Sequence, residues 1–159
     1  SHINAASIDV CLGNTIYVEA MPHGGADRVD LIAKETPKLE LVQMHGFYDL
    51  SPGEFCLAST VEVFNLPNDL AAEFRLKSSC ARAGLDAALA MFADPGWTGS
   101  TLTLELFNNL TYHHLRLRPG LKVGQILFFR GQPVPDHASY AVRGNYNHTL
   151  GTTPSKGVR

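Results

Sequence analysis

The sequence predicts an all-β domain, a barrel or a sandwich of many short strands, and three observations carry that expectation. Apolar and polar residues alternate over short stretches between Ser7 and Arg130. Turn chemistry separates these stretches: Gly13-Asn14, Ser51-Pro52-Gly53-Glu54 and Arg118-Pro119-Gly120. A good helical pattern is confined to one short piece, around Ser79 to Leu85. With 159 residues, 45% of them hydrophobic, the chain is long enough for one domain with its own core and short for two, so residues 1–159 are expected to form a single domain.

Taken in order, Ser1 and His2 read as remnants of an expression vector, and organised pattern begins a few residues later. Ser7 to Asn14 and Thr15 to Glu19 read as strand, turn and strand, with β-branched residues on the alternating positions. Met21 to Lys38 is rich in Gly, Pro, Asp and Lys and reads as an exposed excursion, with Val29, Leu31 and Ile32 its one candidate strand. Leu39 to Phe47 and Phe55 to Phe64 are strand-like on either side of the first Pro-Gly turn. Leu66 to Leu70 is a Pro-led turn that can carry a helical turn into Ala71 to Phe74. Leu102 to Phe107 and Val123 to Phe129 are the strongest strands. Beyond Arg130 polar residues, Pro and Gly dominate without period, so residues 131–159 are expected to be a flexible tail that cannot build a core alone.

Composition excludes several function classes. A formal net charge of -2, from 13 basic and 15 acidic residues, gives no global basic field for a long nucleic acid, whereas a small anionic ligand can be met by clustered cations. No apolar run reaches the roughly 20 residues that span a bilayer, and no charged-then-apolar leader precedes a cleavage site. Three widely spaced cysteines, Cys11, Cys56 and Cys80, fit reduced thiols better than a disulfide framework, so a cytoplasmic setting is expected.

Candidate chemistry concentrates between Lys77 and Asn108. Lys77-Ser78-Ser79-Cys80-Ala81-Arg82 places cations and paired hydroxyls at the start of the helix candidate, which suits phosphate oxygens, or else provides an ordinary N-cap with solvated charges. Asp94-Pro95-Gly96-Trp97 is a tight turn that ends in the single tryptophan, a residue of the core or rim unless a ligand stacks there. In Leu102 to Phe107 a period of two puts Thr103 and Glu105 on one face and Leu102, Leu104 and Leu106 on the other. On a central strand the Glu105 carboxylate is costly unless paired or used, and burial would raise its pKa toward the range where it takes and returns a proton. On a half-solvated strand it would simply face water.

Six segments, SIDVCLGN, KSSCARAGL, DPGW-TG, LTLELFN, LRPGLKVGQILF and YNHTLGTTPSKG, occur in the order and approximate spacing of the dCTP deaminases, relatives of the trimeric dUTPases. The resemblance covers the chain from Ala6 onward. It implies a distorted β-barrel, jelly-roll-like and dUTPase-like, with one or two short helices, assembled as a homotrimer whose active sites lie between subunits. It also implies a dCTP or dUTP ligand whose triphosphate carries Mg2+. By the resemblance Glu105, Arg82 and Ser78 form the deaminating group: Glu105 activates water for attack on C4, and Arg82 and Ser78 orient it. Lys77, Ser79 and Gln125 match phosphate contacts, Ala90 a backbone reader of the base, Trp97 an aromatic near the deoxyribose, and Asp94 the turn aspartate near the sugar. Arg143, Tyr146, His148, Ser155 and Lys156 would equip the tail as a lid over the nucleotide.

Departures from the family pattern are local. One residue fewer lies between Arg82 and Asp94 and one more between Gly99 and Glu105, so their separation is kept if a β-bulge near Ser100 absorbs the extra residue. By the resemblance, Asn145 and Thr149 stand where relatives often have a phosphate-binding lysine and a glutamine, and the segment that many relatives carry before Ser7 is expected to be missing. The zinc route to cytosine deamination needs a His or Cys with Glu two residues on and Pro-Cys-x-x-Cys, a pattern this sequence lacks, so no zinc is expected at the base. Deamination of dCTP to dUTP, continuing to dUMP or not, is the first expectation. A dUTP diphosphatase and a non-catalytic nucleotide-binding homologue are the alternatives.

Overall fold

The computed structural model describes residues 2–24, 28–87, 90 and 92–157, so Ser1, residues 25–27 within the excursion and the last two residues of the tail, 158–159, lie outside the described residues. The elements are β1 (Ile8–Cys11), β2 (Thr15–Glu19), β3 (Leu39–Gln43), β4 (Tyr48–Leu50), β5 (Phe55–Asn65), β6 (Leu70–Leu76), α1 (Ser78–Arg82), β7 (Leu85–Ala87), β8 (Phe92–Ala93), β9 (Thr98–Asn108), β10 (Leu115–Leu117), β11 (Lys122–Arg130) and α2 (Tyr140–Arg143). An all-β architecture with two short helices is therefore correct.

The expected barrel is not formed. Strand order is β1-β11-β6-β8 in one sheet, β3-β2-β5-β9-β7 in a second and β10-β4 in a two-stranded ribbon, each an open run whose end strands do not pair with each other. Alternation in the sequence marks which residues face a core but is silent about which edges meet, and closure is a property of the edges. Leu12 to Thr60 is an isolated bridge between the residue after β1 and the middle of β5. At that corner Gly13 leaves one sheet for the other with its N–H on the Ser59 carbonyl at 2.7 Å, and a Cβ there would stand 2.9 Å from Ser59 Oγ.

Both open sheets contribute to one core. Val10, Phe74, Val123 and Ile126 come from the first, and Ile16, Cys56, Leu104 and Leu106 from the second, all at most 2% exposed. Ala71 to Phe74 is strand rather than the helical turn expected. Ala72 and Phe74 are buried while Glu73 and Arg75 alternate with them, and the strand pairs with β11 through Phe74 and Ile126. A locally helix-favouring Ala-Ala-Glu is overridden there by tertiary pairing. The candidate strand at Val29, Leu31 and Ile32 is also not formed. Asp30 Oδ1 accepts from the N–H groups of Ile32 and Ala33 at 2.9 and 3.2 Å, a local turn that competes with extended pairing.

The tail is more structured than its composition promised. A 3₁₀ turn at Asp136–Ala138 and α2 follow β11, and Ser139 is the N-cap of α2, its Oγ accepting from Ala141 N–H. From Tyr146 the chain lies along β9, with His148 N–H on the Thr98 carbonyl at 3.0 Å and Thr101 N–H on the Thr149 carbonyl at 3.1 Å. Among the described residues no helix is long and apolar enough to cross a membrane.

Candidate active site

Glu105 lies on β9 in the interior of the five-stranded sheet, between β5 and β7, opposite Leu57. The period of two holds from Leu104 to Leu106, with both leucines fully buried in the core and Glu105 on the other face. Leu102, expected on the core side, is instead half-buried and lines the cavity, because β9 and β5 slip register between Thr101 and Thr103. Ahead of it, β9 is out of step with β5. Phe64 pairs with Ser100 and Asn65 with Thr98, so β9 places the extra residue Gly99 opposite that single step. Gly99 has φ +67, and a Cβ on it would meet the His148 ring at 2.4 Å. The bulge falls where the extra residue before Glu105 had to be absorbed.

On that face opens a cavity of 510 Å³. Its floor is Thr101, Thr103 and Glu105 of β9 with Phe55 and Leu57 of β5. One wall is Ala90, Phe92 and the turn carrying Asp94 and Trp97; the other is the tail, through Tyr146, Thr149, Thr153 and Ser155. Thr36, Pro37 and Leu39 enter from the excursion and the start of β3. Most of this lining is apolar in kind, which lowers the local dielectric around any polar group within it.

Glu105 is half-buried, and its Oε2 is the buried side-chain oxygen that lacks a hydrogen-bond partner among the described residues. Burial pushes its carboxyl above the ordinary value of 4.5, with its own backbone amide opposing. A carboxylate left unpaired in an apolar setting costs stability, so a ligand or a bound water is the natural partner for that oxygen.

Trp97 is 7% exposed and belongs to the core, stacked on Phe64 at 5.4 Å, yet it also borders the cavity. Its Nε1–H donates to the Tyr146 carbonyl at 2.8 Å, and Ser100 Oγ donates to the same carbonyl at 2.8 Å. Lys156 sits beside Tyr146, its Nζ 5.0 Å from the ring centroid and donating to the Asn145 carbonyl at 2.6 Å. Asp94 is exposed, its carbonyl closing the turn onto Trp97 N–H at 3.2 Å.

The structure thus brings together Glu105, Ala90, Asp94, Trp97 and Tyr146 around one cavity, with Lys156 next to Tyr146. Lys77, Ser78, Ser79, Arg82 and Gln125 do not line it. They stand at α1 and on β11 of the other sheet, with Ser78, Ser79 and Arg82 exposed. Neither serine is the N-cap of α1; that position is Lys77, whose side chain instead pairs with Asp9 at 2.6 Å. Gln125 Oε1 accepts from Ser7 Oγ at 3.0 Å.

Sequence reasoning missed Thr36, Pro37, Phe92 and Tyr140 as lining residues. The signal available for Tyr140 was Ser139, a good N-cap residue ahead of Tyr-Ala-Val-Arg. For the excursion no periodic signal existed. Among the described residues His2, Cys11 and Glu62 bring potential ligand atoms within 4.8 Å of one another, and none of the three lines the cavity.

Comparison with known proteins shows the family. A family model described as dCTP deaminase-like matches residues 1–131. A dUMP-forming dCTP deaminase of Nocardioides sp. is 39% identical over 164 residues, covering 97% of this chain and 81% of the relative. Proteins of the same description from Acidothermus cellulolyticus and Rhodococcus opacus are 38% and 39% identical over 159 and 166 residues, covering 97% and 98% of this chain and 81% and 83% of the relatives. The crystal structure of 2'-deoxycytidine 5'-triphosphate deaminase from Agrobacterium tumefaciens superposes with a TM-score of 0.63 at 25% identity, over 82% of this chain and 40% of that one, so this chain spans two fifths of its length.

Proposed function

The chain belongs to the dCTP deaminase family, and from that premise we propose that it hydrolyses the cytosine amine of dCTP and carries the product on to dUMP. The observation that supports the first step most directly is the half-buried Glu105, with one carboxylate oxygen unpartnered, on the floor of a cavity large enough for a nucleoside. Glu105 takes a proton from water as its oxygen bonds to C4, and passes protons to N3 and the amine. The C4–N bond then breaks to release ammonia and leave uracil. Attack of a second water on the α-phosphorus would release pyrophosphate and dUMP. Ala90 and Trp97 flank the base and sugar, and Asp94 stands at the sugar edge.

Ser78 and Arg82, the groups assigned to orient Glu105, are absent from the cavity of their own chain. We therefore propose a homotrimer in which α1 of one copy, with Lys77, Ser78, Ser79 and Arg82, together with Gln125, faces the Glu105 cavity of the next. The triphosphate brings its own Mg2+, and the tail with Tyr146 and Lys156 acts as the lid. A cytoplasmic setting accords with the free thiols of Cys11, Cys56 and Cys80.

The test is product analysis on dCTP and dUTP, with ammonia and pyrophosphate measured separately. One ammonia and one pyrophosphate per dCTP are expected. Ammonia without pyrophosphate would confine the enzyme to dUTP formation; pyrophosphate from dUTP without ammonia from dCTP, or neither product, would overturn the proposal.

The same carboxylate sets an expected pH dependence. The base must be ionised, and burial raises its pKa, so the acid limb of kcat/KM is expected above the ordinary 4.5 of a glutamate. A profile flat down to pH 4.5 would mean that Glu105 is not the titrating base.

A further inference from the structure

A charged cluster lies outside the Glu105 cavity. Asp9 on β1 is 4% exposed, and its Oδ1 accepts from Lys77 Nζ at 2.6 Å and from Asn4 Nδ2 at 2.8 Å. Lys122 Nζ stands 3.4 Å from the other oxygen. One buried anion thus holds two ammonium groups, and the burial is uneven: the Lys77 and Lys122 side chains are 30% and 43% exposed against 5% for Asp9. The carboxylate is buried beneath two cations that reach solvent. Lys77 leads directly into Ser78 and Ser79, Cys80 Sγ contacts the Lys122 carbonyl at 3.9 Å, and Asp9 pairs in register with Gln125.

Of the residues assigned to phosphate, Lys77 is held by Asp9 directly and Gln125 is the register partner of Asp9, while Lys122 joins Lys77 on the same carboxylate without having been assigned. Two ammonium groups this close repel one another unless an anion sits between them. A triphosphate needs two or more cations already arranged, since arranging them at binding costs side-chain entropy and affinity.

We infer that Asp9 is a positioning residue that presents Lys77 and Lys122 side by side to the substrate's phosphate chain, and that Lys122 is itself a phosphate contact. The inference rests on the assignment of Lys77 to the triphosphate. Hydrogen bonds from Lys77, first, and Asn4 hold the Asp9 carboxyl down to about 2, so the anion persists throughout the working pH range.

The decisive variants are Asp9→Asn, which keeps the shape and removes the charge, and Lys122→Gln at the surface. Each is expected to weaken dCTP, as KM and as calorimetric affinity, by about tenfold or more, with kcat changed by less than about threefold. Affinity for deoxycytidine, which has no phosphate, should be unchanged. Equal loss for deoxycytidine and dCTP would make Asp9 a structural residue only, and unchanged dCTP affinity in both variants would overturn the inference. Should Asp9→Asn not fold, Lys122→Gln alone decides it. Inorganic tripolyphosphate separates this inference from the functional proposal. A wild-type protein that turns over no dCTP refutes the proposal, whereas tripolyphosphate binding that Lys122→Gln does not weaken refutes the lysine pair.

Discussion

Glu105→Gln is expected to abolish deamination while leaving dCTP binding within a few-fold of wild type. Glutamine keeps the shape of the side chain on β9 but can neither accept a proton from water nor return it to the leaving amine. General acid–base catalysis alone contributes about 10²–10⁴-fold, and here the same group also generates the nucleophile, so the loss should lie at or beyond the upper end. A second readout follows from the unpartnered Oε2. Because burial raises its pKa in the folded state, the stability associated with protonated Glu105 is present below its unfolded value of 4.5 and is lost as pH rises through the shifted one. At neutral pH the neutral Glu105→Gln protein should accordingly melt no lower than wild type. Turnover near the wild-type rate would refute the assignment of Glu105, and a lower melting temperature would mean that the carboxylate has a stabilising partner.

Ending the chain at Gly144 is expected to leave a folded, assembled protein that has lost at least about a hundredfold in kcat/KM on dCTP, the scale on which a misplaced substrate costs rate. The cut removes Tyr146, Thr149, Thr153 and Ser155 from the cavity wall, and with them the carbonyl that Trp97 Nε1–H and Ser100 Oγ share. A cut before Tyr140 would also remove a ring that packs against the core. Light scattering and circular dichroism on the shortened chain check assembly and fold. If it turns over dCTP as well as the full chain does, the tail is no lid. If it is an active monomer, the shared-site arrangement falls as well.

What could be read from sequence divides along a physical line. The facing of Glu105 was legible because a period of two and flanking leucines fix which side of a strand a residue takes, and the bulge could be anticipated because an inserted residue must go somewhere. Open sheets in place of a barrel were not legible, because edges are decided by partners distant in sequence. Ala71 to Phe74 misled for the same reason: its propensity is local and its pairing with β11 is not. The excursion revealed nothing of Thr36 and Pro37, since residues that line a cavity from a loop carry no period. Asp9 looked like an ordinary polar position in an alternating strand, and only the packed structure shows it buried between two lysines.

The way the tail is fastened bears on how this protein can change over generations. Tyr146, Thr149 and Gly151 each offer a main-chain carbonyl, to Trp97 and Ser100, to Thr101 N–H and to Thr101 Oγ1 respectively. Every residue type supplies that carbonyl, so these fastenings tolerate drift in the side chains they carry. Thr149 is the exception, since its hydroxyl also bonds Ser100 Oγ and the Tyr146 carbonyl, so a change there would loosen the closure as well as alter the cavity wall.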